Sequence, residues 1–169
     1  MERAADLFYY MKYASWETIY DPELMTMSIN QYAQSPLLEN NWMTRKLANV
    51  PNDQEITQEH LQIALEVMRT RMIVGLYESL DESLDRFDRY FGWKFEIKPN
   101  SQELCRQRFL SRGILNSNPN KKPLEEGTEA YEQFFWQNQF DLEIHDYAKN
   151  VFAEQGQFVE GTPKNFRLT

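Results

Sequence analysis

The sequence predicts a mostly helical α/β fold organised around one buried strand at about residues 72–77. Two observations predict it. Met72-Ile73-Val74-Gly75-Leu76-Tyr77 is an uncharged, almost wholly apolar run, the composition of a strand covered on both faces in a parallel sheet. Helical patterns lead straight into it and straight out of it, which is the rhythm of an α/β sheet. With 169 residues, 41% of them hydrophobic and including 4 Trp, 9 Tyr and 11 Phe, the chain has material for one sizeable core, and a single domain over 1–169 is expected.

In chain order, Glu2 to Met11 reads as a first helix that buries Leu7, Tyr10 and Met11. Asp21-Pro22 marks a turn, and Ser28 is a suitable N-cap for a short helix that Pro36 ends. Pro51 to Glu55 is a polar linker. Thr57 then caps a helix, with Ile56 and Leu61 at the positions of a hydrophobic staple and Leu61, Ala64, Leu65 and Met68 as the buried stripe. After the 72–77 run, Ser79 and Glu82 have the spacing of a capping box, Leu80, Leu84, Phe87 and Phe91 form one stripe, and Gly92 is placed to end the helix.

Lys94 to Ile97 is strand-like and closes at Pro99, and Ser101 to Leu110 has helical character. The stretch from Ser111 to Pro123 is a loop rich in turn formers. Thr128 opens a helix with Tyr131, Phe134, Phe135 and Trp136. Asn138 and Asp141 are placed to cap another, whose period runs through Phe140, Ile144, Tyr147, Ala148, Val151 and Phe152 before Gly156 stops it.

The formal charge of −8 argues against a general nucleic-acid or anionic-membrane surface, both of which need a basic face. A local basic pocket for a nucleotide or glycan stays compatible with it. No apolar run of membrane-spanning length and no signal-like start occurs, so the chain reads as soluble, with its compartment open. Cys105 is the only cysteine, which rules out an internal disulfide and a cysteine-rich metal site. His145 and Asp141 stand one turn apart and are compatible with a shared metal or with a solvated helix face; no metal is expected. Gly156 and Gly161 have the separation of a phosphate loop, but Thr162 and Lys164 follow in the wrong order and no strand precedes them.

Val74-Gly75-Leu76, Glu78, Ser83-Leu84 and Gly92-Trp93 together resemble a segment in the C-terminal half of the carbohydrate sulfotransferases, the group that includes the heparan sulfate 2-O-sulfotransferases. Three further stretches are similar to the same family in the same order. ERAADLFYY at the N-terminus resembles the helix after its nucleotide-binding strand, although Asp6 stands where the family has a serine. Asn41, Thr44, Arg45 and Leu47 resemble a segment near its acceptor cleft, and the 129–155 region resembles its closing helices.

The resemblance implies the C-terminal part of a P-loop-like sulfotransferase fold, lacking the N-terminal phosphate loop. The donor it implies is 3′-phosphoadenosine 5′-phosphosulfate. Arg3, Asn116, Ser117, Asn118 and Lys121 would then face the nucleotide, with Arg45 and Arg112 toward a glycan or other hydroxyl acceptor and Lys122 adding charge. Read from the residues alone, Arg45 is equally a surface arginine and the 116–121 stretch an ordinary loop. Neither His60 nor His145 matches the family's base, and no catalytic residue is assigned.

Two functions follow from this. One is the C-terminal portion of an enzyme transferring a sulfuryl group to a carbohydrate hydroxyl, inactive as an isolated chain. The other is a non-catalytic helical interaction protein derived from such a sulfotransferase. In either case an unpaired 72–77 strand would be a template for self-association.

Overall fold

The computed structural model describes residues 2–18, 20–93, 103–108, 120 and 122–160, with the side chains of 2, 3 and 158–160 outside that description. Its helices are α1 Glu2–Met11, α2 Ile29–Gln34, α3 Trp42–Ala48, α4 Gln58–Arg71, α5 Leu80–Tyr90, α6 at 103–108, α7 Glu129–Gln137 and α8 Gln139–Glu160, with short 3₁₀ turns at Pro22–Met25 and Tyr77–Ser79. The chain forms two compact units, Met1–Trp42 with Glu103–Gln139 and Met43–Gln102 with Phe140–Thr169.

In the first unit the sequence caps hold. The Ser28 hydroxyl accepts from the Gln31 N–H at 3.2 Å while the Gln31 side chain accepts from the Ser28 N–H at 2.8 Å. Asp21 likewise accepts from the Glu23 N–H at 2.9 Å and starts the first 3₁₀ turn. The core is Ala4, Ala5, Phe8, Met11, Leu24, Tyr32, Ala33, Leu38, Ala130 and Phe134. α1 therefore turns its Ala4/Ala5/Phe8/Met11 face inward, and Tyr10 of the expected stripe is exposed. The two alanines permit close approach, and Phe8 stacks on Tyr32 with centroids 4.8 Å apart. α2 and α7 pack together, tied by Gln34 Nε2 to Glu129 at 2.7 Å and by Gln137 Nε2 to the Ala33 carbonyl at 2.8 Å.

The second unit overturns the α/β expectation. No strand or sheet exists among the described residues, which conflicts with a P-loop-like fold. Residues 72–76 form an extended segment, with Met72 at φ −125°, ψ 145° and Leu76 at φ −107°, ψ 134°, but no strand among the described residues pairs with it. Only Val74 of the run is buried; Met72 and Tyr77 are exposed.

Side chains take the place of the missing neighbour. Gln155 Nε2 donates to the Met72 carbonyl at 2.8 Å and its Oε1 accepts from the Val74 N–H at 2.9 Å. One primary amide thus makes the two bonds that a residue of a parallel strand would make opposite Ile73. Farther along, the buried Ser83 hydroxyl accepts from the Leu76 N–H at 2.9 Å, with the Leu76 and Ser79 carbonyls at 3.0 and 2.8 Å as acceptors for its own hydrogen.

Around this segment, Leu61, Ala64 and Met68 of α4 pack with Val74 and with Ile144, Ala148, Val151 and Phe152 of α8, the stripes that the sequence periods predict. α5 ends as expected at Gly92, φ 63°. The Trp93 N–H returns to Asp88 and the Gly92 N–H to Arg89, the paired bonds of a left-handed C-terminal cap. Its start differs. Ser79 occupies the N-cap position without a side-chain cap bond, and the Glu82 carboxylate accepts from Arg86.

Gly156 does not stop α8, which continues to Glu160. A Cβ there would lie 2.6 Å from Arg86 Nη2, so the glycine makes room for a guanidinium that sits 3.6 Å over the Phe152 ring and donates to the Phe152 carbonyl.

Two predictions follow from these contacts. Gln155→Leu leaves the Val74 N–H and Met72 carbonyl without their partner and should lower the unfolding free energy by about 1–3 kcal/mol in urea titration; an unchanged midpoint would mean that water replaces the amide at no cost. Gly156→Ala should destabilise the native chain yet stabilise an Arg86→Ala background by about 1 kcal/mol, the intrinsic helix preference of alanine. Equal effects in the two backgrounds would show that the guanidinium does not dictate the glycine.

Candidate functional site

The described polar centre of the second unit lies at the two ends of α3. At its start, Asp141 of α8 accepts from the N–H groups of Met43 and Thr44, both at 2.8 Å, and from the Thr44 hydroxyl at 2.7 Å. A carboxylate distant in sequence thereby satisfies two donors that a helix start leaves unpaired, and its charge suits the positive end of the helix dipole. Asp141 thus serves α3, where the sequence pattern placed it as a cap of its own helix.

At the other end of α3, Asn49 adopts a left-handed conformation, φ 55°, and the Val50 N–H returns to the Arg45 carbonyl at 2.9 Å. The turn that follows closes on Arg45 itself. Both N–H groups of its Nη1 are used, on the Pro51 carbonyl at 2.7 Å and the Gln54 carbonyl at 2.8 Å, and the residue is only 6% exposed. Arg45 is buried, not a surface arginine, and it braces the 49–54 turn. Beside it Lys46, Asn49, Val50, Pro51 and Asn52 complete an open concavity of about 340 Å³. Amides and one ammonium there can hydrogen-bond a small polar molecule, and no carboxylate, imidazole or thiol among these lining residues can exchange a proton with it.

The other expected site residues, Lys122 apart, fall outside the described side chains. Arg3 lies in α1 with its side chain outside the described residues, and Arg112, Asn116, Ser117, Asn118 and Lys121 lie outside them entirely. Lys122 is described and exposed. The two histidines have local partners. His60 Nδ1 accepts from the Thr57 N–H at 3.1 Å, closing the start of α4. His145 Nε2 lies 3.0 Å from Glu78 Oε1, so His145 and Asp141 do not share a site. The Glu78 carboxyl is held below its ordinary value by its own backbone N–H and then by His145. Among the described residues no group of three His, Cys, Asp or Glu side chains is arranged to hold a metal, and no helix is long and apolar enough to cross a membrane.

No family model, no curated protein and no solved structure matches the chain. The sulfotransferase resemblance accordingly rests on the residues that carry it and on nothing else.

The sequence reading passed over Gln155, the bonding of Ser83 to Leu76 and the use of Asp141 at α3. A glutamine one position before a buried helical glycine, and a serine inside an otherwise apolar stripe, were the available signals. Both are polar residues at inward-facing positions, which have to find a backbone partner.

Arg45→Ala should lower stability by about 1.5–3 kcal/mol, because it strips two carbonyls of a charged donor. Arg45→Lys should recover only part of this loss, since one ammonium lacks the planar fork. Urea unfolding checks both, and a neutral Arg45→Ala would return the residue to the pool of available ligand-binding cations.

Proposed function

We propose that this chain is a non-catalytic helical interaction protein that binds partners through aromatic side chains on its surface. The observation that carries the reading is tryptophan exposure: Trp16, Trp93 and Trp136 are 74%, 54% and 62% exposed, leaving only Trp42 of the four partly covered. An indole is among the largest apolar surfaces a side chain offers, and its N–H adds a directional bond, so tryptophan is over-represented where partners bind. Tyr77, at 74% exposure, is a further exposed aromatic side chain of the second unit.

The described residues lend little to the catalytic alternative. Arg45, its acceptor-side candidate, is engaged by Pro51 and Gln54, and the segment expected as the buried strand of that fold is completed by side chains.

The test has two arms. Adenosine 3′,5′-bisphosphate at millimolar concentration should leave the melting temperature unchanged, whereas binding at 100 times its dissociation constant would add about 2.7 kcal/mol. A saturable upward shift, or transfer of a sulfuryl group to a glycan by the chain, overturns the proposal. In the second arm, cross-linking from native extract compares the wild-type chain with a Trp16→Ser/Trp93→Ser/Trp136→Ser variant of unchanged stability. Partners that persist on the variant would also defeat it.

A further inference from the structure

The extended segment 72–76 has two backbone edges, and the structure satisfies one of them. Met72, Val74 and Leu76 direct their peptide groups toward Gln155 and Ser83. On an extended backbone the peptide groups of Ile73 and Gly75 alternate with these and belong to the other edge, and neither residue has a hydrogen-bond partner among the described residues. Gly75 is exposed and Ile73 partly so. Two successive donor–acceptor pairs on extended backbone with an open side are what an added strand requires.

We propose that this edge pairs, antiparallel, with the same edge of a second copy of the chain. The charges beside the run select this occupant and this direction. The uncharged residues 72–77 are bracketed by exposed Arg71 at one end and by exposed Glu78 at the other. Antiparallel pairing of two copies brings the positive end of each run to the negative end of its mate, whereas parallel pairing sets like charges together.

A two-fold axis passing between the two Val74 residues sets Ile73 of each copy opposite Gly75 of the other, so that both pairs exchange both backbone bonds. The same register brings Arg71, the last residue of α4, to the end of the ribbon where Tyr77 of the other copy, 74% exposed, begins its 3₁₀ turn, within reach of a guanidinium–ring contact. The contact is isologous, so it closes at two copies and does not propagate. It rests on backbone geometry, and it holds whether or not the tryptophan surface binds a partner.

Sedimentation velocity of the full chain over a wide concentration range tests it. The expected result is a reversible monomer–dimer equilibrium. Arg71→Glu should weaken it about five- to tenfold by setting an acid beside Tyr77 and Glu78, and Arg71→Glu/Tyr77→Lys should restore it by reversing the pair. Amide exchange supplies an independent reading, in which the N–H groups of Ile73 and Gly75 become protected as the dimer forms. A monomer at every concentration overturns the proposal, as does a dimer indifferent to both variants or one in which these amides exchange as fast as in the monomer. A strand-like peptide that protects the same amides in a chain that stays monomeric would show that the edge takes a foreign strand, and would equally overturn pairing between copies. Nucleotide binding does not enter any of these readouts, so this inference and the functional proposal above can fail separately.

Discussion

The Gln155 amide bonded to Met72 and Val74 is the contact on which the second unit depends. An extended stretch cannot satisfy its own peptide groups as a helix does, so placing Val74 in a core obliges something else to accept and donate beside it. In a sheet the neighbour is a backbone. Here it is one side chain of α8, and that choice has consequences. α8 has to run past residue 155 to deliver the amide, so a helix end at Gly156 would leave it near a frayed terminus. It has to come close enough for Gln155 to reach, and the same approach lets Arg86 lie over Phe152 and occupy the space above Gly156.

The same device recurs elsewhere in the chain. Asp141 serves the start of α3, Arg45 the turn after it, Ser83 the end of the extended segment, and within the first unit Asn138 Oδ1 accepts from the Asn41 N–H at 3.1 Å. Each is a polar side chain spent on a backbone group distant in sequence or in a loop, where no ladder is available. Buried peptide groups left unsatisfied cost about 1–3 kcal/mol apiece, comparable to a sizeable fraction of a domain's net stability. A small helical protein with irregular connections therefore depends on such residues as much as on its apolar stripes.

This division explains what the sequence disclosed. Caps at Ser28, Thr57, Thr128 and Gly92 were legible because donor and acceptor lie within a few residues of each other, so spacing alone defines them. The buried faces of α4 and α8 were legible because a helical period is regular over several turns. The strand was not. A short apolar run has the same composition whether a backbone or a glutamine stands beside it, and Gln155 lies far along the chain. Gly156 misled for a related reason: a glycine near a helix end commonly marks a cap, yet the need for a small residue against Arg86 is set by packing that no local pattern records. Most of the proposed nucleotide residues fall outside the described structure, and Arg45, which falls inside it, shows how little a residue type says about availability.

The residues that carry the sulfotransferase resemblance have structural work of their own in this chain. Gly75 leaves space that Phe87 and Ser83 fill, an added Cβ lying 2.7 Å from the phenyl ring. Ser83 ties α5 to Leu76, Glu78 pairs with His145, and Gly92 supplies the left-handed turn that Trp93 completes. An extended run that turns into a helix and leaves it at a glycine will select residues of these types wherever it occurs: a small one where a ring approaches, a hydroxyl where a peptide group needs a partner, and a glycine where φ is positive. A motif composed of such positions reports a local geometry, and unrelated chains that share the geometry can share the motif. Chemistry has to be read from residues that the geometry does not already require. In the described part of this chain those include the exposed aromatic side chains and the backbone of Ile73 and Gly75, the features on which the two proposals rest.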